Sequence, residues 1–298
     1  MRIFVEILKI FKGINFDFTK FAAQKLIILN NYFLKLKISL LSIFLKKDNR
    51  VLKALNDLEV NGVAIIKNFY SDKETEKIKK ECFNLLNDVP TNKIDSQDYI
   101  QAESISVGSK TIYLEKLGSS IKLKGLNILN SFFSKIGRKI ELSLITLVYH
   151  NRKSKPYLVY NVSHDGNSTH PVLKNYTGSN EAIAGKPHVD LYYHKLRCFL
   201  ALGDVKRDNG ATIYYNKSRS SNFLEQNYLN LFLSAIDIKI NDMDSHYINE
   251  NKLNDIKMSC KKSYLECQKG DLALIDLKTP HYAVLPKKGE RQLLWFYY

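Results

Sequence analysis

Apolar and polar positions change rhythm along this chain. Before residue 50, apolar residues recur every three or four positions: Ile3, Phe4, Ile7, Leu8 and Phe11, then Leu26, Leu29, Phe33, Leu36 and Leu40. That is the spacing of amphipathic helices. Leu52–Val60 predicts a short helix stopped at Asn61-Gly62, and Val63–Ile66 a short apolar strand. Ser71 and Glu74 form a capping box. The helix it opens carries Ile78, Cys82, Leu85 and Leu86 on one face and stops before Pro90. Residues 91–118 are polar and show no period. Ser119–Gly137 predicts a second amphipathic helix through Ile121, Leu126, Leu129, Phe132, Phe133 and Ile136. Strand-like runs rich in β-branched and aromatic residues then dominate: Glu141–Tyr149, Tyr157–Val162, Arg197–Asp204, Ala211–Asn216, Ser263–Cys267, Leu272–Asp276 and Arg291–Tyr298. Arg207-Asp208-Asn209-Gly210 reads as a tight turn that makes Ala211–Asn216 a return strand, and Asn222–Ile236 as an inserted helix. His164–Gly185, rich in Gly, Asn, Ser and Thr, reads as a loop able to cover a site. Short strands between turns, preceded by helices, predict an α+β chain with a mainly β core, an antiparallel barrel or sandwich.

Composition and charge divide the chain. Its 298 residues suffice for one large core plus an appendage. The net charge of +15 points to an anionic partner or to a compositional habit of Lys richness. Residues 1–50 hold ten Lys/Arg against three acidic residues, a surplus of seven. This extension is set apart from a domain over 51–298. Basic amphipathic helices of this kind either lie on an anionic membrane surface or pack on the barrel or a second subunit. No run of 18 apolar residues occurs and no cleavage signature is present, so neither a transmembrane helix nor a signal peptide is expected. The four cysteines, Cys82, Cys198, Cys260 and Cys267, form no C-x-x-C pair and no disulfide framework. A reducing cytoplasm, with peripheral membrane contact as an option, is the expected compartment.

Candidate chemistry lies in the C-terminal half. His188 and Asp190 flank a single residue, which on a strand puts both side chains on one face. A lone His-x-Asp arises often by chance. Its value depends on His281, just past the apolar strand Leu272–Asp276 and a Thr279-Pro280 corner, and on Arg291 ten residues later. Two histidines and a carboxylate can hold non-haem Fe(II) with three positions open. Two of these can take a 2-oxo acid and the third O₂. Arg291 opens an otherwise apolar strand, and its head needs an anionic partner if buried. It could bind the distal carboxylate of 2-oxoglutarate through two parallel hydrogen bonds. The competing reading of Arg291 is a structural ion pair with Asp276. Tyr149 and Tyr192 are candidate pocket residues, Tyr192 because it continues the period of His188 and Asp190; either could equally be core. His194 is the nearest competitor as a ligand.

These pieces, in order, resemble the phytanoyl-CoA dioxygenase family of Fe(II)/2-oxoglutarate oxygenases. Leu55 through Ser71 resembles the family's opening helix, strand and capped helix; His188-Val189-Asp190 the metal motif; Phe199–Val205 with Asp208-Asn209-Gly210 the strand and turn after it; and Gly270-Asp271 through His281 and Arg291 the distal ligand and cosubstrate anchor. The resemblance spans about residues 52–298. The family usually has Trp at the position of Phe199, and often Pro-Gly-Ser-His where this chain has Asn216-Lys217-Ser218-Arg219. These departures bear on substrate contacts, with Phe199 as a further pocket candidate. The resemblance implies a double-stranded β-helix (jelly roll, cupin-like) with flanking helices. It implies Fe(II) on His188, Asp190 and His281, and 2-oxoglutarate on Arg291. The implied reaction converts 2-oxoglutarate to succinate and CO₂ while hydroxylating a small-molecule, lipid-linked or sugar-linked substrate.

Three other functions compete. A nucleic-acid demethylase of the same superfamily would suit the charge, but no basic-aromatic groove is evident in the barrel region. A non-catalytic, membrane-associated binding module on the same barrel would leave four intact site residues unexplained. A cupin-type isomerase would give Arg291 no role.

Overall fold

A computed structural model describes residues 16–46, 49–89, 100–117, 120–150, 155–165, 185–218, 224–236 and 246–298. The expected helical positions Ile3–Phe11 and most of the loop expected at His164–Gly185 lie outside the described residues.

The core is a two-sheet antiparallel jelly roll with flanking helices. The large sheet contains β1 (Val63–Ile66), β2 (Ile100–Val107), β3 (Lys110–Leu117), β4 (Ser120–Lys124), β5 (Tyr157–His164), β6 (Leu196–Ala201), β9 (Leu272–Asp276) and β11 (Glu290–Tyr297). Its order is β1-β9-β6-β11-β5-β4-β3-β2. A smaller sheet holds β7 (Ile213–Tyr215), β8 (Lys262–Tyr264) and β10 (His281–Tyr282), in the order β10-β7-β8.

The period-2 alternation of each strand sorts its residues between two cores. Ala64, Ile66, Cys198, Leu200, Leu272, Leu274, Leu294 and Phe296 face outward into a core shared with helices. Val63, Phe199, Ala201, Ala273, Ile275 and Leu293 face the space between the sheets, where Val205, Ala211, Leu265 and Cys267 meet them. Both faces are covered, so the central strands read as unbroken apolar runs. The same alternation turns Arg291 and Arg197 inward.

The outer core is closed by α2 (Arg50–Asn61), α3 (Asp72–Asn87) and α5 (Ile140–His150), with the short α4 (Ser131–Lys135) beside them. The Ser71/Glu74 capping box is present in full. The buried Asp271 carboxylate ties the β1–α3 connection to the start of β9: it pairs with Lys67 Nζ at 2.7 Å and accepts from the Asn68 and Gln268 backbone N–H groups at 2.9 and 2.8 Å.

Several expected elements differ. The run Ser119–Gly137 is not one helix: β4 comes first, then a 3-10 turn at Leu126–Ile128, then α4. Ile121 and Leu123 alternate with Lys122 and Lys124, whose amines both bond Glu115 on β3. That cross-strand lock outweighs the helical spacing of the larger run. Glu141–Tyr149 is helical, not a strand. Leu142, Ile145, Thr146 and Tyr149 form a buried stripe, so one apolar face packed on the sheet decides against β propensity. Ala211–Asn216 does not return alongside β6. Its strand β7 crosses to the small sheet and pairs with β8 and β10. Residues 91–118, without a period in the sequence, supply the edge hairpin β2–β3 in their described part.

The N-terminal extension is one helix over its described part, α1 (Phe16–Phe44). It packs on the domain with Thr19, Ala23, Ile27, Leu34 and Ile38. A buried polar node fastens it: Asn31 Oδ1 accepts from Lys278 Nζ at 2.6 Å and faces His194 Nε2 at 2.9 Å, while His194 Nδ1 lies 2.5 Å from Asp276 Oδ2. Contrary to the sequence expectation, Thr19–Phe44 is long and apolar enough to cross a membrane by length and composition, because its lysines are too widely spaced to break the average.

Gly62 ends α2 with φ +76°, and a Cβ there would overlap the Thr279 hydroxyl. The Gly62 carbonyl also accepts from Thr279 Oγ1 at 3.2 Å and from Asp276 N–H at 2.9 Å. Gly62→Ala is therefore expected to cost about 1 to 3 kcal/mol in chemical denaturation. It should also weaken metal binding by displacing the segment that ends at His281. Wild-type stability in that variant would contradict this packing.

Candidate metal centre

His188, Asp190 and His281 come together at one mouth of the jelly roll. Each offers a ligand atom, and these atoms all lie within 4.8 Å of one another. His188 Nε2 is 3.4 Å from Asp190 Oδ1, and His281 Nε2 is 3.7 Å from Asp190 Oδ2. The two imidazole centroids are 4.6 Å apart.

Local backbone produces this convergence. His188 is not in an extended strand, as the spacing argument assumed, but forms a single antiparallel bridge to His281. The chain then turns: Asp190 and Leu191 both donate to the Leu277 carbonyl, at 3.0 and 3.3 Å. Tyr192 therefore does not continue the inward period. It packs against Phe232 on α6 (Glu225–Ala235), with ring centroids 5.0 Å apart.

Each histidine is oriented by its own backbone. His188 Nδ1 lies 2.8 Å from the Lys186 carbonyl, and His281 Nδ1 lies 2.8 Å from the Thr279 carbonyl. A proton on each Nδ1 leaves both Nε2 lone pairs facing the cluster, as ligation requires. Burial pushes His281 down to about 4, against the pull of Asp190, so at neutral pH it is the uncharged, ligating form. Burial works to lower His188 as well, but its hydrogen bond with Asp190 prevails and the group is raised. Burial alone would raise Asp190. The hydrogen bond with His188 and the positive charge of Arg197 instead hold it far below the usual carboxylate range. Asp190 Oδ2 is buried and accepts no hydrogen bond, though Arg197 Nη1 stands 3.2 Å away as an ion-pair partner. Two imidazoles and a carboxylate with an oxygen that accepts no hydrogen bond suit a divalent transition metal.

A cavity of about 170 Å³ opens beside the cluster, lined by His188, Arg197, Thr212, His281, Arg291 and Trp295 among others. Arg291, opposite Ser163 in the β11–β5 register, is buried on its floor. Its Nη1 donates to the Gly210 carbonyl, its Nη2 to Ser163 Oγ at 3.3 Å, and its Nε has no partner. Among the described residues no carboxylate pairs with it. Asp276, the competing partner, is committed to His194 and to the Lys278 backbone. Burial lowers Arg291 to about 10, which leaves it charged at neutral pH.

The other candidates do not line the cavity. Tyr149 is buried on α5, edge-on to His194 at 6.3 Å. Phe199 is buried between the sheets against Trp295, 4.9 Å between centroids. His194 belongs to the node under α1. Sequence reasoning passed over Arg197, Lys122, Ser163, Thr212, Trp295 and Tyr297, all in the cavity wall. Alternation from Arg291 would have found Trp295 and Tyr297, and alternation from Phe199 would have found Arg197. Lys122 falls inside the helix that the spacing of Ser119–Gly137 predicts.

No protein-family model and no curated protein matches the sequence. Solved structures do. The epimerase SnoN, in complex with Fe3+, alpha ketoglutarate and nogalamycin RO, superposes with a TM-score of 0.51 at 10% identity, over 83% of this chain and 82% of that one. EvdMO1 superposes with a TM-score of 0.50 at 11% identity, over 83% of this chain and 49% of that one. At this identity the likeness establishes the jelly-roll fold.

The site geometry makes metal binding measurable by itself. Calorimetric titration with Mn(II) or Co(II) should show one site, weakened at least about tenfold in Asp190→Ala. Protons compete with the metal at His188, whose affinity for them is raised. Metal affinity should therefore fall as pH drops from about 8 to about 6 and level off above. A pH-independent affinity, or an unaffected Asp190→Ala, would contradict the assignment.

Proposed function

We infer that the chain is a non-haem Fe(II)- and 2-oxoglutarate-dependent oxygenase of the phytanoyl-CoA dioxygenase type, hydroxylating a small-molecule substrate. The observation that carries this reading is Arg291: a buried guanidinium without a carboxylate partner, in the same cavity as the His188–Asp190–His281 cluster. Burying an uncompensated cation costs several kcal/mol, and an anion bound from outside would offset it. A metal cluster and a guanidinium without a carboxylate partner beside the same cavity fit a ligand that chelates the metal through a 2-oxo acid and ends in a second carboxylate. SnoN, on the same fold, is crystallised with iron and alpha ketoglutarate, and supports this choice.

In this reading His188, Asp190 and His281 hold Fe(II), and Arg291 with the Ser163 hydroxyl grips the distal carboxylate. When bound, iron with 2-oxoglutarate and O₂ supplies decarboxylation to succinate and CO₂ and oxidation of a substrate C–H bond. The chain's own part is positioning. Arg197 lies over the Tyr297 ring, 4.9 Å from its centroid, and steadies Asp190 Oδ2. Trp295 and Tyr297 wall the cavity, keeping water off the reacting centre. A carboxylate at position 190 fills a ligand position that halogenating relatives leave for a halide, and so favours hydroxylation. A cavity of about 170 Å³ favours a small substrate over a nucleic acid.

Arg291→Lys keeps the charge but loses the two-pronged grip. It should weaken 2-oxoglutarate binding by about 10- to 100-fold, measured by calorimetry on the Mn(II)-loaded protein, with metal affinity unchanged. Loss of the metal in that variant, or unchanged 2-oxoglutarate affinity, would remove Arg291 from this role.

A further inference from the structure

The helix α1 has two faces, and the domain covers only one. The stripe Thr19, Ala23, Ile27, Leu34 and Ile38 is buried. The opposite arc presents Phe21, Ile28, Leu29, Tyr32, Phe33, Leu36, Leu40, Ile43 and Phe44, all exposed, with Ile43 at 73% and Phe44 at 82%. These large side chains extend along 29 residues, about 44 Å of helix at 1.5 Å per residue. A patch of that length exceeds what a freely soluble surface normally carries. The segment Phe16–Phe44 also carries four lysines against one acidic residue. At 3.6 residues per turn, Lys35 borders the apolar arc, where it pairs with Glu59 at 3.3 Å, while Lys20 lies on the domain side and Lys37 donates to the Val148 carbonyl at 3.2 Å. Lys25 lies within the arc with its amine over the Phe21 ring, 5.1 Å from the centroid.

We propose that this face docks the enzyme on an anionic lipid bilayer, with α1 lying in the plane of the interface and its apolar arc set among the acyl chains. An apolar stripe that carries the exposed Lys25 and is edged by the exposed Lys35 is complementary to acidic headgroups over hydrocarbon, and the chain's net charge of +15 has the same sign. The helix does not cross the bilayer. Its other face is held to the domain by the node of Asn31, Lys278 and His194. Lys278 is itself buried, its amine 4.5 Å from the Tyr228 ring centroid, and lipid could not replace those contacts. Docking also reaches the candidate centre. Ala23 and Ile27 share a core cluster with Val189, the residue between two of the proposed ligands, and with Tyr228 and Phe232 of α6. The bilayer would therefore meet the side of the domain that supports the site.

The test is co-sedimentation of the full chain with vesicles, independent of iron or 2-oxoglutarate. Vesicles of phosphatidylcholine and phosphatidylglycerol should carry the protein down, and vesicles of phosphatidylcholine alone should bind it at least about tenfold more weakly. High salt should release it, because screening shortens from about 10 Å to about 3 Å between 0.1 M and 1 M. Ile28→Glu with Ile43→Glu changes only exposed positions. It should lower binding at least about tenfold while leaving the melting temperature unchanged. Lys25→Gln with Lys35→Gln should weaken binding to the acidic vesicles selectively. Three outcomes would overturn the proposal. One is no vesicle binding. Another is binding that survives salt and alkaline extraction, as a spanning helix would. The third is a dimer in light scattering that the Ile28/Ile43 variant dissociates, which would make the face a contact between copies.

Discussion

The candidate centre depends on one antiparallel bridge. The His188 N–H donates to the His281 carbonyl and the His281 N–H donates to the His188 carbonyl, each at 3.0 Å. This reciprocal pair holds two residues distant in sequence with their rings side by side. It leaves no freedom to slip by one residue, which would turn either imidazole to the opposite face. The Leu277 carbonyl, bonded by the N–H groups of Asp190 and Leu191, then brings the carboxylate under both rings. The cluster is thus a product of backbone pairing between the sheet mouth and the segment after β9.

That segment, Asp276 to His281, is also the busiest junction in the fold. Asp276 meets His194, Lys278 reaches Asn31 on α1, and Thr279 packs on Gly62 at the end of α2. The candidate ligand His281 therefore rests on three independent supports: the N-terminal helix, the opening helix of the domain and the bridge to His188. Preorganisation of this kind costs little on metal arrival, because the imidazoles are already oriented by the Lys186 and Thr279 carbonyls. Charge follows the same logic. The inward face of the large sheet carries Arg197 and Arg291 into one cavity. Arg197 is answered by Asp190, whereas among the described residues Arg291 finds only neutral oxygens.

Sequence reasoning reached the central strands because their residues are covered on both sides and their apolar runs are unambiguous; β6, β9 and β11 fall close to their expected positions. It also singled out His188, His281 and Arg291, which the fold brings around one cavity, and Asp190, which it sets beside the two histidines. It missed where tertiary contacts set the outcome. Ile140–His150 has strand-like residues but a helix-spaced buried stripe, visible only once the sheet beneath it is known. Lys122 and Lys124 belong to a strand because Glu115 on the next strand answers both. Tyr192 was placed beside the ligands on the assumption that the strand continued, but the double bond to the Leu277 carbonyl turns the chain after Asp190. Arg197 was passed over because an arginine in an apolar run looks like a surface residue until the pleat is assigned.

On this reading one cavity takes both a metal at the His188–Asp190–His281 cluster and a 2-oxo acid reaching Arg291. Anaerobic absorption spectroscopy tests it directly. Adding 2-oxoglutarate to the Fe(II)-loaded protein should produce a visible metal-to-ligand charge-transfer band. The band should saturate with 2-oxoglutarate, require both components and be absent from Asp190→Ala. A wild-type protein that binds Fe(II) but develops no such band would contradict a shared site for the metal and the 2-oxo acid.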